Sequence, residues 1–320
     1  MTIHAKLLVG VATLALMTGA VQARELTIGL QDNEVSTTFM GVSAISEKLE
    51  ELSDGEFKLK IFPSATLGDF KAMVAQVQAG ELDMVVTGYP DMSYTIPELK
   101  LVGAPYVVDS FEHLEEIVAG PWGQEMAEKM KEQGLTSLDV WYQGTRQTTA
   151  NRAINSIEDM KGLRLRTPNV PFLIAYAENV GAVPAPVAFQ EVYLALQTNQ
   201  VDGEENPLPT IEAMKFYEVQ DYIALTNHFI SSASIKIGND VWDSLSDEEK
   251  GWLETATKHG GDVTDGLTFK AEADLISTFK ERGLTITEPD TAPFRAAMKP
   301  YYDELEAEFG EGVIARVRGE

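Results

Sequence analysis

From Glu25 onward the chain alternates short apolar runs with segments of helical periodicity, and no other feature restricts the fold as strongly. ELTIGL (25–30) reads as a strand, and Phe39, Val42, Ile45, Leu49 and Leu52 then recur at helical spacing until Asp54-Gly55. FKLKIF (57–62) alternates as a second strand, Phe70, Met73, Val74 and Val77 mark a second amphipathic helix, and LDMVV (82–86) is a third strand. Such a start predicts right-handed crossovers and a mostly parallel sheet. Further strands are expected at LTSLDVWY (135–142) and LRLRT (163–167), with a capped turn at Ser156–Asp159 and a helix near 188–199. Ser246 and Glu249 stand at capping-box spacing before another helix. Gly260-Gly261 falls inside it, and because each glycine costs about 1 kcal/mol there relative to alanine, an interruption or an irregular long helix is expected. Gln78-Ala79-Gly80-Glu81-Leu82-Asp83 aligns with Gln197-Thr198-Asn199-Gln200-Val201-Asp202, each closing a helix with a residue type that tolerates the left-handed conformation. That faint repeat suggests two related lobes. No Pro/Gly/Ser-rich linker separates them, so ordered crossings must join them.

The first residues have the three parts of a secretory signal peptide. His4 and Lys6 begin it, LLVGVATLALM (7–17) is its apolar core, and Val21-Gln22-Ala23 is a small-residue cleavage site, with cleavage expected after Ala23. The apolar core is too short to span a bilayer, which needs about 20 residues, so an exported, unanchored protein is expected. A formal charge of -25 argues against a nucleic-acid partner. With no cysteine, the chain has no disulfide framework, thiol nucleophile, zinc-thiolate site or lipidated N-terminal cysteine.

No catalytic signature is present: the chain has no Gly-x-Ser-x-Gly elbow, zinc-protease His-Glu-x-x-His, Walker loop or calcium loop. His113, His228 and His259 are far apart and read as surface or packed side chains. Glu204 and Glu205 are a conceivable acid–base pair, but adjacent side chains tend to point apart, whereas a glycosidase needs carboxyl groups facing each other. The arginines are more informative. Arg146, Arg152, Arg164 and Arg166 cluster in an acidic chain that has nine in all. In LRLRT, Arg164 and Arg166 share one face and Leu163 and Leu165 the other. The arginine at the strand's C-terminal end, beside Thr167-Pro168-Asn169, would lie at the crevice where open α/β sheets bind ligands. A planar guanidinium there suits a carboxylate; the alternative is a sheet edge with solvated arginines. In QVDGEENP (200–207), Asn206 is held extended before Pro207 and its amide can both donate and accept, which suits a ligand contact or a plain turn.

Three blocks, GTRQTTANRAINSIEDMKGLRLRTPN (144–169), PVAFQEVYLALQTNQVDGEENPL (186–208) and KFYEVQDYIALTNH (215–228), closely resemble the solute-binding proteins of tripartite ATP-independent periplasmic (TRAP) transporters, near the DctP-type branch that includes the sialic-acid binders. The resemblance covers essentially all of the chain after the leader. It implies an α/β, two-lobed periplasmic binding protein of the Venus-flytrap type, with mixed sheets, crossing strands and a long lobe-spanning helix. The lobes would comprise 24–143 plus 232–271 and 144–231 plus 272–320. Arg166 matches the family arginine that pairs with the ligand carboxylate in two-pronged fashion, Arg146 a second arginine beside it, and Asn206 the asparagine completing the grip. Asn169 and Phe189 match further pocket positions. Where sialic-acid binders carry asparagine after the first strand and glutamate after the third, this chain has Gln31 and Gly88. Asp69, Phe70 and Tyr89 are then candidates for the far wall, and a smaller organic acid is expected: a sugar acid, a hydroxy or keto acid, or a C4-dicarboxylate. The implied protein is a non-enzymatic, cofactor-free periplasmic monomer that delivers its ligand to the small and large permease subunits. A receptor for an ATP-driven transporter or a sensor, or an exported sugar-acid enzyme, is the alternative. The cleft should stand open and wet until ligand contacts stabilise closure.

Overall fold

The structure, a computed structural model, describes residues 23–320, so the apolar core of the leader lies outside the described residues. Strand β1 (Arg24–Gly29) pairs in parallel with β2 (Phe57–Phe62) and β3 (Met84–Thr87), as the alternating pattern predicts. The helix Thr37–Leu52 links the first two, with Ser36 accepting from the Phe39 N–H and Val42, Ile45 and Leu49 turned into the core. The helix Phe70–Gln78 links β2 to β3 and is capped by Asp69. The long strand β4 (Leu135–Ala150) then leads into a second unit. In it, β5 (Arg164–Thr167) pairs in parallel with β6 (Val183–Pro186) and β7 (Gly203–Pro207), with the helices Pro171–Asn179 and Val192–Gln197 between them. The chain returns along β8 (Tyr222–Gly238), and β9 (Thr285–Thr287) adds to the start of that strand.

The strand order β2-β1-β3-β8-β4-β7-β5-β6 shows two lobes of matching design. Strands β4 and β8 run antiparallel from Leu135 opposite Gly238 to Ala150 opposite Tyr222, one leaving the first lobe as the other enters it. Each also pairs antiparallel with the last strand of a lobe, β8 with β3 and β4 with β7. The sheet is therefore mixed, as the family resemblance implied, and not mostly parallel as the opening pattern alone predicted, because the two crossing strands must travel in opposite directions. Opposite Gln147 the ladder breaks: Arg146 pairs with Phe229 but Thr148 with Ala224. The Gln147 amide fills the gap, its Oε1 accepting from the Asn227 N–H at 3.0 Å and its Nε2 donating to Asn227 Oδ1 at 2.8 Å.

The internal repeat is visible in the hydrogen bonds. Gly80 (φ 73°) and Asn199 (φ 55°) both close a helix in the left-handed region. The next amides, Glu81 and Gln200, donate back to Gln76 and Ala195 at 2.8 and 2.9 Å. Asp83 then accepts from the Thr27 N–H on β1, and Asp202 from the Arg164 N–H on β5.

The helix Asp247–Glu281 begins with the Ser246–Glu249 capping box and runs 35 residues without interruption. Gly260 and Gly261 do not break it. A Cβ on Gly260 would lie 2.6 Å from the Gly41 carbonyl oxygen, and one on Gly261 2.6 Å from the Trp141 indole. The glycines let the helix lie directly on the Thr37–Leu52 helix and on β4. Its first half packs with Leu26, Ile45 and Trp141, and its last turns with Val192, Leu196 and Phe216, so it spans both lobes. Midway, Asp265 accepts from the Tyr142 N–H and Glu272 from the Thr145 N–H, both at 2.6 Å.

Candidate functional site

The C-terminal ends of β3, β5 and β7 face a cavity of about 390 Å³ between the lobes. Arg166 is its most buried charge, 2% exposed, with Leu165 turned into the core on the other face of β5. Its Nε and Nη2 donate to the Val187 carbonyl at 3.0 and 2.7 Å, and among the described residues it forms no ion pair. Burial lowers its pKa to about 10, opposed by the nearby Glu205 and Glu204. Arg164, one step back on the same face, is exposed at the strand's start and pairs with Asp202.

Arg146, on β4 where the ladder breaks, also lines the cavity. Its Nε donates to Glu205 Oε2 at 2.5 Å and its Nη2 to Oε1 at 3.0 Å. Glu205 is also 3.1 Å from His228 Nε2, and the His228 ring stacks on Tyr176 at 4.0 Å. Burial pushes the Glu205 carboxyl up, but Arg146 and His228 outweigh it and hold the carboxyl below its usual range. Burial lowers the pKa of His228. Glu204 points elsewhere, accepting from Thr149 Oγ1 at 3.0 Å and from Asn206 Nδ2 at 2.5 Å, and burial raises it to about 7. The two adjacent glutamates serve different partners and do not face each other across a shared gap.

Asn206, Asn169 and Phe189 line the cavity from the second lobe. From the first lobe Gln31, Asp69, Phe70 and Gly88 line it, but Gln31 Oε1 is engaged by the Phe70 N–H at 2.9 Å. Tyr89 is not among the lining residues: its ring, 2% exposed, lies in the hydrophobic core with Met73, Met92 and Leu99. The position of Gly88 in front of it leaves the wall to Thr87 and Asp91 instead.

Several wall residues escaped the sequence reading. Asp91 accepts from the Gly88 N–H at 3.0 Å, the three-residue spacing of a cap, and that spacing was the available signal. Behind it Lys236, fully buried on β8, donates to Thr87 Oγ1 at 2.7 Å; burial lowers its pKa to about 7, against the pull of Asp91. Asp32, just after β1, is raised to about 6 by burial. Lys71 lies over the Phe70 and Tyr94 rings and donates to the Asn169 carbonyl at 3.3 Å. With Gln190 Nε2 to the Gln31 carbonyl at 3.2 Å and Asn33 Nδ2 to the Ala213 carbonyl at 2.9 Å, that contact bridges the mouth. The rims of the two lobes therefore touch, because side chains on one reach carbonyls on the other.

One concave site thus presents a buried guanidinium that forms no ion pair among the described residues, amides beside it, aromatic walls and a more acidic far side. This is the chemistry of anion capture between lobes. A family model for bacterial extracellular solute-binding proteins, family 7 (DctP), matches residues 28–308. The chain is 41% identical to the sialic acid-binding periplasmic protein SiaP of Vibrio cholerae over 98% of both chains. It superposes with a TM-score of 0.87 and 31% identity on a TRAP periplasmic solute-binding protein of a Polaromonas species bound to D-erythronate, covering 92% of this chain and 98% of that one. A second such protein, from Roseobacter denitrificans with bound L-galactonate, gives a TM-score of 0.84 and 30% identity over 92% and 97%. These relatives are binding proteins and not enzymes. The chain belongs to the DctP family of bacterial extracellular solute-binding proteins, the family of TRAP transporter receptors.

Proposed function

We propose that this protein is the periplasmic receptor of a TRAP transporter for a sialic or sugar acid. The ligand carboxylate is gripped by Arg166, with Arg146 and Asn206 beside it and Asn169 and Phe189 along its flank. The observation that carries this reading is the Arg166 guanidinium, fully buried without an ion-pair partner among the described residues. A buried charge is expensive unless paired, and a carboxylate supplies two parallel hydrogen bonds. The names of the relatives, which concern sialic acid, D-erythronate and L-galactonate, support the same ligand class. The leader is removed after Ala23, the mature monomer closes its lobes, 24–143 plus 232–271 and 144–231 plus 272–320, around the acid, and the closed form hands it to the small and large permease subunits.

Isothermal titration of the mature protein with N-acetylneuraminate, galactonate and galacturonate, and with galactose as the neutral control, tests the reading. At least one acid should bind, and galactose should not. Binding of galactose with affinity equal to the acids, or no binding by any acid, overturns it.

A further inference from the structure

We infer that Tyr106 is a positioning residue for the anion site: clamped by side chains from the C-terminal helices, it holds β8 at Thr226 and His228 and thereby sets Arg146 in the cavity wall. The inference rests on the proposed place of Arg146 beside the ligand carboxylate and adds what fixes that arginine. Tyr106 is buried, and its backbone lies in the left-handed region at φ 62°. A bulky residue keeps that conformation only where its surroundings over-determine it. The carbonyl of Pro105 accepts from the Tyr302 hydroxyl at 2.5 Å, that of Tyr106 from Arg295 Nη1 at 2.8 Å, and that of Val107 from Arg318 Nη1. The three donors come from three successive helices, Ala292–Ala297, Lys299–Phe309 and Val313–Arg318, and the Arg295 guanidinium also lies over the Tyr106 ring.

From that anchorage Tyr106 grips β8 on both sides of an irregular residue. Its hydroxyl donates to the Thr226 carbonyl at 2.9 Å and its N–H to the His228 carbonyl at 3.0 Å. Asn227 between them is left-handed as well, at φ 45°, and is the residue that Gln147 binds where the ladder breaks beside Arg146. The grip therefore fixes the two residues that orient the imidazole. Glu205 is ionised and can only accept, so His228 Nε2 carries the ring proton, and Nδ1 accepts from the Thr226 hydroxyl at 2.9 Å. Glu205, held on one side by that imidazole, holds Arg146 on the other. Tyr106 is not among the residues lining the cavity, so its effect on a ligand passes through this series of contacts.

The test uses Tyr106→Phe, which removes only the hydroxyl, and the double variant Arg295→Met/Arg318→Met, which loosens the clamp without touching the cavity. Whichever of N-acetylneuraminate, galactonate and galacturonate binds wild type most tightly is titrated into each protein well below its melting temperature. Both variants should bind it at least about threefold more weakly, the scale of one lost neutral hydrogen bond, with the loss in the dissociation rate. A residue that only stabilised the fold would lower the melting temperature and leave the affinity of the folded protein unchanged. A loss smaller than about threefold in Tyr106→Phe overturns the inference while leaving the carboxylate grip standing, and one that small in the double variant overturns the clamp. Failure of every acid to bind wild type removes the proposed function and this inference together. Nitrogen NMR of the His228 ring reads the route: wild type should show a single tautomer protonated at Nε2, and the variants a mixture or displaced resonances. An unchanged ring in a variant that binds weakly overturns the route through His228.

Discussion

Replacing Arg166 by methionine, which keeps most of the side-chain volume and drops the charge, separates a receptor arginine from a structural one. In the folded protein the guanidinium is lowered from 12.5 to about 10, chiefly by burial. At 1.36 kcal/mol per pH unit, the buried charge weakens the ligand-free fold by about 3 kcal/mol. Against that gain, Arg166→Met strips the Val187 carbonyl of both its donors from this side chain, and a buried acceptor left unsatisfied costs about 1–3 kcal/mol. The balance lies between zero and a gain of about 2 kcal/mol, in line with other replacements of buried charges by apolar groups. Ligand-free Arg166→Met should therefore melt at the wild-type temperature or up to about 4 °C above it. The same variant should lose about 2–5 kcal/mol of binding, since the ligand carboxylate is left unpaired. That is a loss of roughly 30-fold or more in affinity. Differential scanning calorimetry with and without galactonate or N-acetylneuraminate reads both quantities. A fall of more than about 5 °C without ligand, together with retained ligand stabilisation, would refute the argument and make Arg166 a structural residue.

Three further perturbations follow from the packing. Gly261→Ala should destabilise by about 1–3 kcal/mol despite alanine's better helix propensity, because its Cβ would meet the Trp141 ring at 2.6 Å; urea denaturation showing a gain would contradict the close approach. Glu205→Ala should cost about 3–5 kcal/mol by stranding Arg146 in a buried position, seen as a drop in melting temperature of roughly 6–10 °C. Asp265 is raised from 3.8 to about 7, first by burial and then by Asp139, Glu115 and Asp262. Between those two values the native state holds a proton that the unfolded chain has released, so its contribution to stability falls as the pH rises through that window. Wild type should accordingly gain on Asp265→Asn in melting temperature when both are moved from pH 7.5 to pH 5, and equal changes in the two proteins would refute the assignment.

What the sequence revealed and what it hid have a common physical origin. Strands β1 and β2 were legible because each has one face against a helix layer, and the helix Thr37–Leu52 because its apolar stripe recurs every three or four residues. Strand β8 gave no such signal, since nearly every residue from Phe229 to Gly238 is buried on both faces and the period-two alternation vanishes. The second half of β4 was likewise hidden: its Thr145–Ala150 stretch is polar in composition yet buried, serving the seam between lobes. The arginines of the site were found by their local density in an acidic chain. Asp91 and Lys236 were not, because an aspartate near a turn and a lysine in an apolar run acquire meaning only when β3 and β8 bring them together. The double glycine misled for a related reason, since propensity measures a helix in isolation and Gly260-Gly261 is shaped by its neighbours.

The crossing of β4 and β8 has a consequence for how the chain comes to be folded. The free edge of β3, carrying the apolar residues Met84, Val85 and Val86, is closed only by residues 234–237 of β8, far along the chain. Until those residues are in place the first lobe presents an unpaired hydrophobic strand, the kind of edge that recruits other chains. Contacts of such long sequence separation also slow folding, because chain entropy must be surrendered before they form. The two lobes are therefore separate in shape but not in assembly, and a fragment ending before Tyr222 should behave as an aggregation-prone chain and not as a half-sized receptor.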